Sequence, residues 1–420
     1  MRNLFDQFDQ PENRLTHALM SSLHEDRRLL NRFVKWATGD QAPVGPLRVL
    51  EQALPGEEET LDSDELQRRG LPDGWIHDDD CWALVIESKI ECRLEEDQLG
   101  RHRSTAQRRG FSKLHLLALV VEFPIRPVVD GTKIKKWTDL YIWLKGQEQD
   151  SAWARRLGAY MELLETKLSK DGYLKGGTLT VFTGIPFGKN YPYNYHEAKR
   201  LLRLAMVELR LRSDLGKNLE IDKDRQGRDS ITGKDSTHVW DYLSLKKAGD
   251  ANNFTEFPHL TVGIHHEYLH AIVIVPNGIR SEFRRNLLSG GSDGFYAIFE
   301  SILVGLSKSL GDLKGVVPSV EVVQRRYPSQ RSEPFIDANL SFDLRTGFGK
   351  EYGWQTSPKQ QPQWLEAVYS ALSSKNSNLQ LAVGAKFQFD QFPEMNTRKI
   401  LDHIADTWLA CKPLIQKMIP

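Results

Sequence analysis

The chain has 420 residues, 27% charged and 40% hydrophobic, an ordinary globular mixture long enough for two or three domains. Lysine plus arginine equals aspartate plus glutamate, 56 each, so a globally basic nucleic-acid coat is excluded and any basic surface is local. Cys81, Cys92 and Cys411 form no zinc or disulfide spacing, the N-terminal stretch has no apolar signal core, and no run approaches the roughly 20 apolar residues of a membrane span, so the expectation is a soluble, cytoplasmic protein in a reducing compartment.

In chain order, residues 11–37 read as one amphipathic helix. Pro11 suits its first turn, Asp9 and Glu12 fit a capping box, and Leu15, Leu19, Leu23, Leu30 and Phe33 recur at helical spacing. "LRVLEQAL" (47–54) reads as a strand, and the acidic stretch 56–69 as a loop. "PDGWIH" (72–77) and "CWALVIESK" (81–89) read as two strands joined by the turn-like Asp78-Asp79-Asp80. Residues 94–109 are polar with helical spacing, and "KLHLLALVV" (113–121) is a further buried strand. Two basic segments, 101–110 and 133–136, offer positive charge to a phosphate backbone or simply face solvent. Residues 137–144 and 152–168 read as helices, with Trp137, Tyr141 and Trp143 as packing residues.

From about residue 172 a second unit begins. Strands are expected at 177–184, 259–264, 269–275, 319–324, 338–344 and 379–390, and helices at 196–212, 294–311, 363–374 and 396–411. The polar stretch 213–253 reads as a loop. The expected domains are therefore 1–171 and 172–420, both α/β.

The chemistry concentrates on the hairpin of the first unit. Asp73 lies seven residues before Asp80 and Glu87 seven after it, so a turn centred there sets the two carboxylates side by side. Side chains alternate along a strand, so Glu87 and Lys89 share a face. Two half-buried carboxylates repel unless a cation lies between them, and hard oxygen ligands favour Mg²⁺ or Mn²⁺. A lysine beside such an ion positions or deprotonates a water, which is a route to phosphodiester hydrolysis.

Pro72-Asp73 followed by Glu87-Ser88-Lys89, in this order of elements, resembles the PD-(D/E)xK nuclease superfamily over about residues 1–170. Two further features resemble its resolvase-type branch: Glu12 at the start of the first helix, and Gln98 with His102, which looks like that branch's QxxxY/H element. The resemblance implies a restriction-endonuclease-like core, a mixed sheet flanked by helices. It implies an Mg²⁺- or Mn²⁺-dependent nuclease acting on DNA, with Asp73, Glu87, Glu12 and the Ser88 carbonyl as metal ligands and Lys89 orienting the attacking water. Gln98, His102 and Arg101 would contact substrate; residues four apart share a helix face, so Gln98 and His102 can address one phosphate. A role as a prokaryotic defence effector follows from the resemblance alone, and a homo-oligomer is compatible with it.

Two other readings compete. His266-Glu267-x-x-His270 matches the HExxH pattern of zinc hydrolases, with Glu300 as the third-ligand candidate. It falls between two β-branched apolar runs, where a hairpin tip is expected instead of the helix that pattern needs. The remaining reading is a non-catalytic nucleic-acid-binding or sensor protein.

Overall fold

The computed structural model describes residues 10–40, 42–53, 55, 71–90, 94, 96–124, 129–171, 177–225, 227, 237–248, 256–277, 281–326, 328, 335–348, 352–354, 358–374 and 379–419. Asp9, Cys92 and the acidic stretch 56–69 lie outside them. The chain divides into two compact units, 1–181 and 182–420. Among the described residues no helix is long and apolar enough to cross a membrane, and Cys81 and Cys411 are free thiols.

The first unit runs α1 (Pro11–Glu25), α2 (Arg27–Thr38), β1 (Arg48–Glu51), β2 (Gly74–His77), β3 (Trp82–Lys89), α3 (Glu96–Arg108), β4 (Lys113–Val120), β5 (Thr132–Lys136), α4 (Trp137–Lys145) and α5 (Ala152–Asp171). Its five strands lie in chain order in a mixed sheet: β1, β2 and β3 pair antiparallel, β3, β4 and β5 parallel. Alternation gives each strand two faces. Leu84, Ile86, Leu117 and Leu119 join the main core with Leu15 and Leu19 of α1, Phe33 of α2, Trp137 of α4 and Tyr160 of α5. On the opposite face Ala83, Val85 and Leu116 form a smaller core with Ala106 of α3. The segment 133–136, read from sequence as a basic run, is part of the edge strand β5.

Two expectations in this unit need correction. The helix expected over 11–37 is two helices, because Asp26 takes an extended backbone and its carboxylate accepts the Leu29 N–H at 3.0 Å, capping α2. The capping box expected from Asp9 and Glu12 rests on Asp9, which lies outside the described residues; Gln10 is the N-cap of α1, with no side-chain cap. The strand expected over 177–184 is irregular. The Glu165 carboxylate accepts the N–H groups of Leu179 and Thr180 at 2.8 and 3.3 Å, so these donors go to a side chain instead of a ladder. Leu179 thereby joins the first unit's core, and the boundary falls ten residues later than the expected 171.

The second unit contains α6 (Tyr195–Arg210), α7 (Ser213–Asn218), β6 (His238–Leu243), β7 (His259–His265), β8 (Tyr268–Val275), α8 (Ser281–Leu288), α9 (Gly291–Leu310), β9 (Val316–Arg326), β10 (Phe335–Asp343), α10 (Gln363–Ser373), β11 (Gln380–Gln388), α11 (Ile400–Ala410) and α12 (Lys412–Met418). Its six strands form one wholly antiparallel sheet in the order β10-β9-β11-β8-β7-β6, packed by helices over a large apolar core. The stretch 213–253, expected to be loop, includes α7 and β6; its residues 226, 228–236 and 249–253 lie outside the described set.

Candidate active site

The site is built on the β2–β3 hairpin. Gly74 pairs with Ile86, Trp75 with Val85, Ile76 with Leu84 and His77 with Ala83. Asp78 makes the turn: its Oδ1 accepts the N–H groups of Asp80 and Trp82, at 3.0 and 2.9 Å. Asp79 takes the left-handed conformation, with φ of 65°, beside it. His77 sits at this turn end, its Nδ1 3.2 Å from Asp79 Oδ1, far along β2 from Asp73.

At the other end, the register continued by one pair sets Asp73 opposite Glu87. Asp73 Oδ2 accepts the Ser88 N–H at 2.7 Å, tying the two strands together just beyond their last ladder pair. Glu87 is buried, and three side chains hold its carboxylate. Lys89 Nζ lies 2.7 Å from Oε1, Gln98 Nε2 donates to Oε1 at 2.6 Å, and His102 Nε2 stands 3.0 Å from Oε2. His102 Nδ1 is buried with no hydrogen-bond partner, so the hydrogen-bond network assigns the Nε2–H tautomer, donating to Glu87. The four-residue spacing of Gln98 and His102 thus sets both on the face of α3 that meets β3, as expected. Their nitrogens, however, are spent on Glu87, where the sequence reading aimed them at a phosphate. Arg101 is exposed on the same helix.

Glu12 reaches the cluster from α1. Its Oε1 accepts the Ile90 N–H at 2.9 Å, and its Oε2 is 3.9 Å from Lys89 Nζ. Ser88, on the opposite face from Glu87 and Lys89, is buried, and its hydroxyl is hydrogen-bonded to that of Thr16 at 2.8 Å. Thr16 was not singled out from the sequence. Its position four residues after Glu12, one helical turn along, was the available signal.

Three carboxyl groups and one ammonium therefore share this edge of the sheet. Burial, and next the Glu87 carboxylate, push the Asp73 carboxyl up from an ordinary 3.8 to about 8. Burial pulls Lys89 down, but Glu87, with Asp73 and Glu12, more than reverses this, and the amine is held above the ordinary lysine range. The cluster is short of positive charge. Among the described residues no three His, Cys, Asp or Glu side chains come together as a group able to hold a metal ion. What the site offers is a pair of carboxyl groups, Asp73 and Glu87, the second already held by three side-chain donors. That fits an ion such as Mg²⁺, which commonly takes one or two protein carboxylates and leaves its other positions to water and phosphate.

The HExxH segment does not form a zinc site. His266 and Glu267 are exposed in the β7–β8 turn, and His270 is half-buried within β8. Strand alternation turns His270 away from the core shared by Leu269 and Ala271, whereas Glu300 lies on α9 and accepts the Tyr352 hydroxyl at 2.6 Å. His270 instead packs against His265, ring centroids 4.7 Å apart, and His265 stacks on His238 at 5.0 Å. Burial pushes His265 down to about 3 and His270 well below its usual range, so both rings are neutral packing groups.

No protein-family model matches the chain, and no curated protein matches it.

Proposed function

We propose that the first unit is a metal-dependent nuclease of the restriction-endonuclease-like type, hydrolysing phosphodiester bonds in DNA. The observation that carries this reading is the convergence of Asp73, Glu87, Lys89 and Glu12 at one edge of a mixed sheet, with one ammonium among three carboxyl groups. A core that serves only stability has no use for such a cluster, because two close carboxylates with one counter-charge oppose folding. The strand order and the antiparallel-then-parallel pairing support the fold expected from the resemblance.

Asp73 and Glu87, with the Ser88 carbonyl, would hold an Mg²⁺ or Mn²⁺ ion. Such an ion supplies charge that draws in the phosphate and acidifies a water. The chain's own groups do the rest. Lys89 keeps its proton, so it donates to the attacking water or to a phosphate oxygen and does not serve as the base. Glu87 fixes the ammonium at 2.7 Å, and Gln98 and His102 fix Glu87 in turn. Glu12 adds negative charge behind Lys89 and is itself anchored to the Ile90 backbone. Arg101, exposed on α3, contributes to backbone binding.

The test is cleavage of plasmid, linear, single-stranded and RNA substrates by the purified chain with Mg²⁺ or Mn²⁺, beside Lys89→Ala. Metal-dependent cleavage that Lys89→Ala abolishes is expected. A chain that cuts none of these substrates, or a variant that cuts as fast as wild type, refutes the reading.

A further inference from the structure

The parallel strands carry a second feature on the catalytic face. Lys89 on β3 is in register with Val120 on β4, and Val120 with Lys136 on β5. Registered neighbours share a face, so Lys136 stands on the face of Glu87 and Lys89. Neighbouring strands lie about 4.8 Å apart, which sets its backbone about 10 Å from that of Lys89. Lys135, one residue earlier, faces the other way, with its Nζ 4.4 Å from the Trp36 ring of α2. This independent contact fixes the alternation.

Beside Lys136 is Phe123, three residues beyond the end of β4. The Lys136 Nζ lies 4.8 Å from its ring centroid, yet the residue remains 57% exposed. Among the described residues no carboxylate pairs with the Lys136 ammonium. Single exposed aromatics are common and by themselves mean little. This one is at the C-terminal edge of the three parallel strands, where the carboxylate cluster also sits, and it has a cation against its ring. A ring and an ammonium together suit a nucleotide: the base stacks on the ring while the ammonium meets a phosphate. A paired base has both faces covered by its neighbours, so stacking on Phe123 needs a base that is unpaired or turned out.

We infer that Phe123 and Lys136 form a subsite for an unpaired nucleotide next to the scissile phosphate, and that the substrate is single-stranded or locally open nucleic acid. The inference rests on the nuclease reading of the neighbouring cluster, so binding and cleavage are measured separately. Binding of a fluorescent single-stranded DNA oligonucleotide and of its blunt duplex is followed by anisotropy in EDTA, where no cleavage occurs. Phe123→Ala should weaken the single strand about tenfold and leave the duplex essentially unchanged, and Phe123→Trp should restore the single-strand affinity. Equal losses on both ligands, or no loss on either, overturn the subsite. If wild type cleaves DNA and Phe123→Ala binds as wild type does, only the subsite falls. If wild type neither binds nor cleaves any nucleic acid, the nuclease reading falls with it.

Discussion

Asp73→Asn should make the protein more stable, and by an amount that depends on pH. The folded Asp73 carboxyl titrates near 8 against 3.8 for an ordinary aspartate, through burial and the neighbouring Glu87. Between these values the folded protein keeps a proton that the unfolded chain releases, so wild-type stability falls as pH rises and levels off above about 8. Each tenfold step in proton affinity is worth about 1.4 kcal/mol, so four such steps come to roughly 6 kcal/mol. Solvent at the open edge and the coupling to Glu87 reduce this to about 2–3 kcal/mol. Asparagine cannot ionise, and its amide oxygen still accepts the Ser88 N–H that Asp73 now takes at 2.7 Å. The advantage of Asp73→Asn should therefore be smallest near pH 4 and widen by about 2 kcal/mol between about pH 5 and 9. For the unit that holds the site this is roughly 4–8 °C in Tm, read by calorimetry without metal. Mg²⁺ at about pH 9 should raise the wild-type Tm and leave Asp73→Asn unmoved, since a bound cation takes the place of the proton. A gap that stays constant from pH 5 to 9, or a variant less stable than wild type at about pH 9, refutes the account of Asp73 as a buried acid opposed by Glu87.

Lys89→Ala should slow cleavage by about 10²–10³-fold while calorimetric Mn²⁺ affinity holds or rises, because an ammonium beside the dication is gone; a parallel loss of metal affinity would contradict its role as a donor to the reacting groups. Glu12→Gln keeps an acceptor for the Ile90 N–H but removes a charge near Lys89, so Tm should change by less than about 1 kcal/mol equivalent while cleavage drops about tenfold; unchanged cleavage returns Glu12 to a purely structural role. His102→Ala leaves Glu87 Oε2 without its donor in a buried site and should cost about 1–3 kcal/mol in urea unfolding, whereas an unmoved midpoint would mean that Oε2 finds another donor.

The hairpin was legible because two local features agree. Two apolar runs mark the strands and the acidic turn between them sets the register, so that counting from Asp80 brings Asp73 to Glu87. The Gln98–His102 spacing was equally legible as a helix face, but spacing defines a face and not a target. That both would be spent on Glu87 depends on how α3 packs across β3, a tertiary fact with no local signature. Asp26 shows the opposite limit. Its neighbours continue the apolar stripe of a single helix, and the break is set partly by Ser151, 125 residues away, whose hydroxyl donates to the Asp26 carboxylate at 2.6 Å. The segment 177–184 fails similarly. Its β-branched pattern is strand-like, but the Glu165 carboxylate captures the donors a ladder would use.

The two carboxylates of the hairpin differ in a way that bears on how the site would be loaded. Glu87 is surrounded by donors: an ammonium, an amide and an imidazole. Asp73 is bonded to one backbone N–H and lies close enough to Glu87 to feel its charge. The exchangeable proton of the cluster therefore belongs on Asp73, while Glu87 acts as the fixed half of the pair, its orientation set by α3 and by Lys89. Asp73 and Glu87 would hold a dication between them, with the orientation of Glu87 kept by His102, Gln98 and Lys89. Such an ion would supply the positive charge that the cluster lacks and offset the repulsion between Asp73 and Glu87. The stability lost at this edge of the sheet follows from one electrostatic imbalance, the excess of carboxyl groups over Lys89.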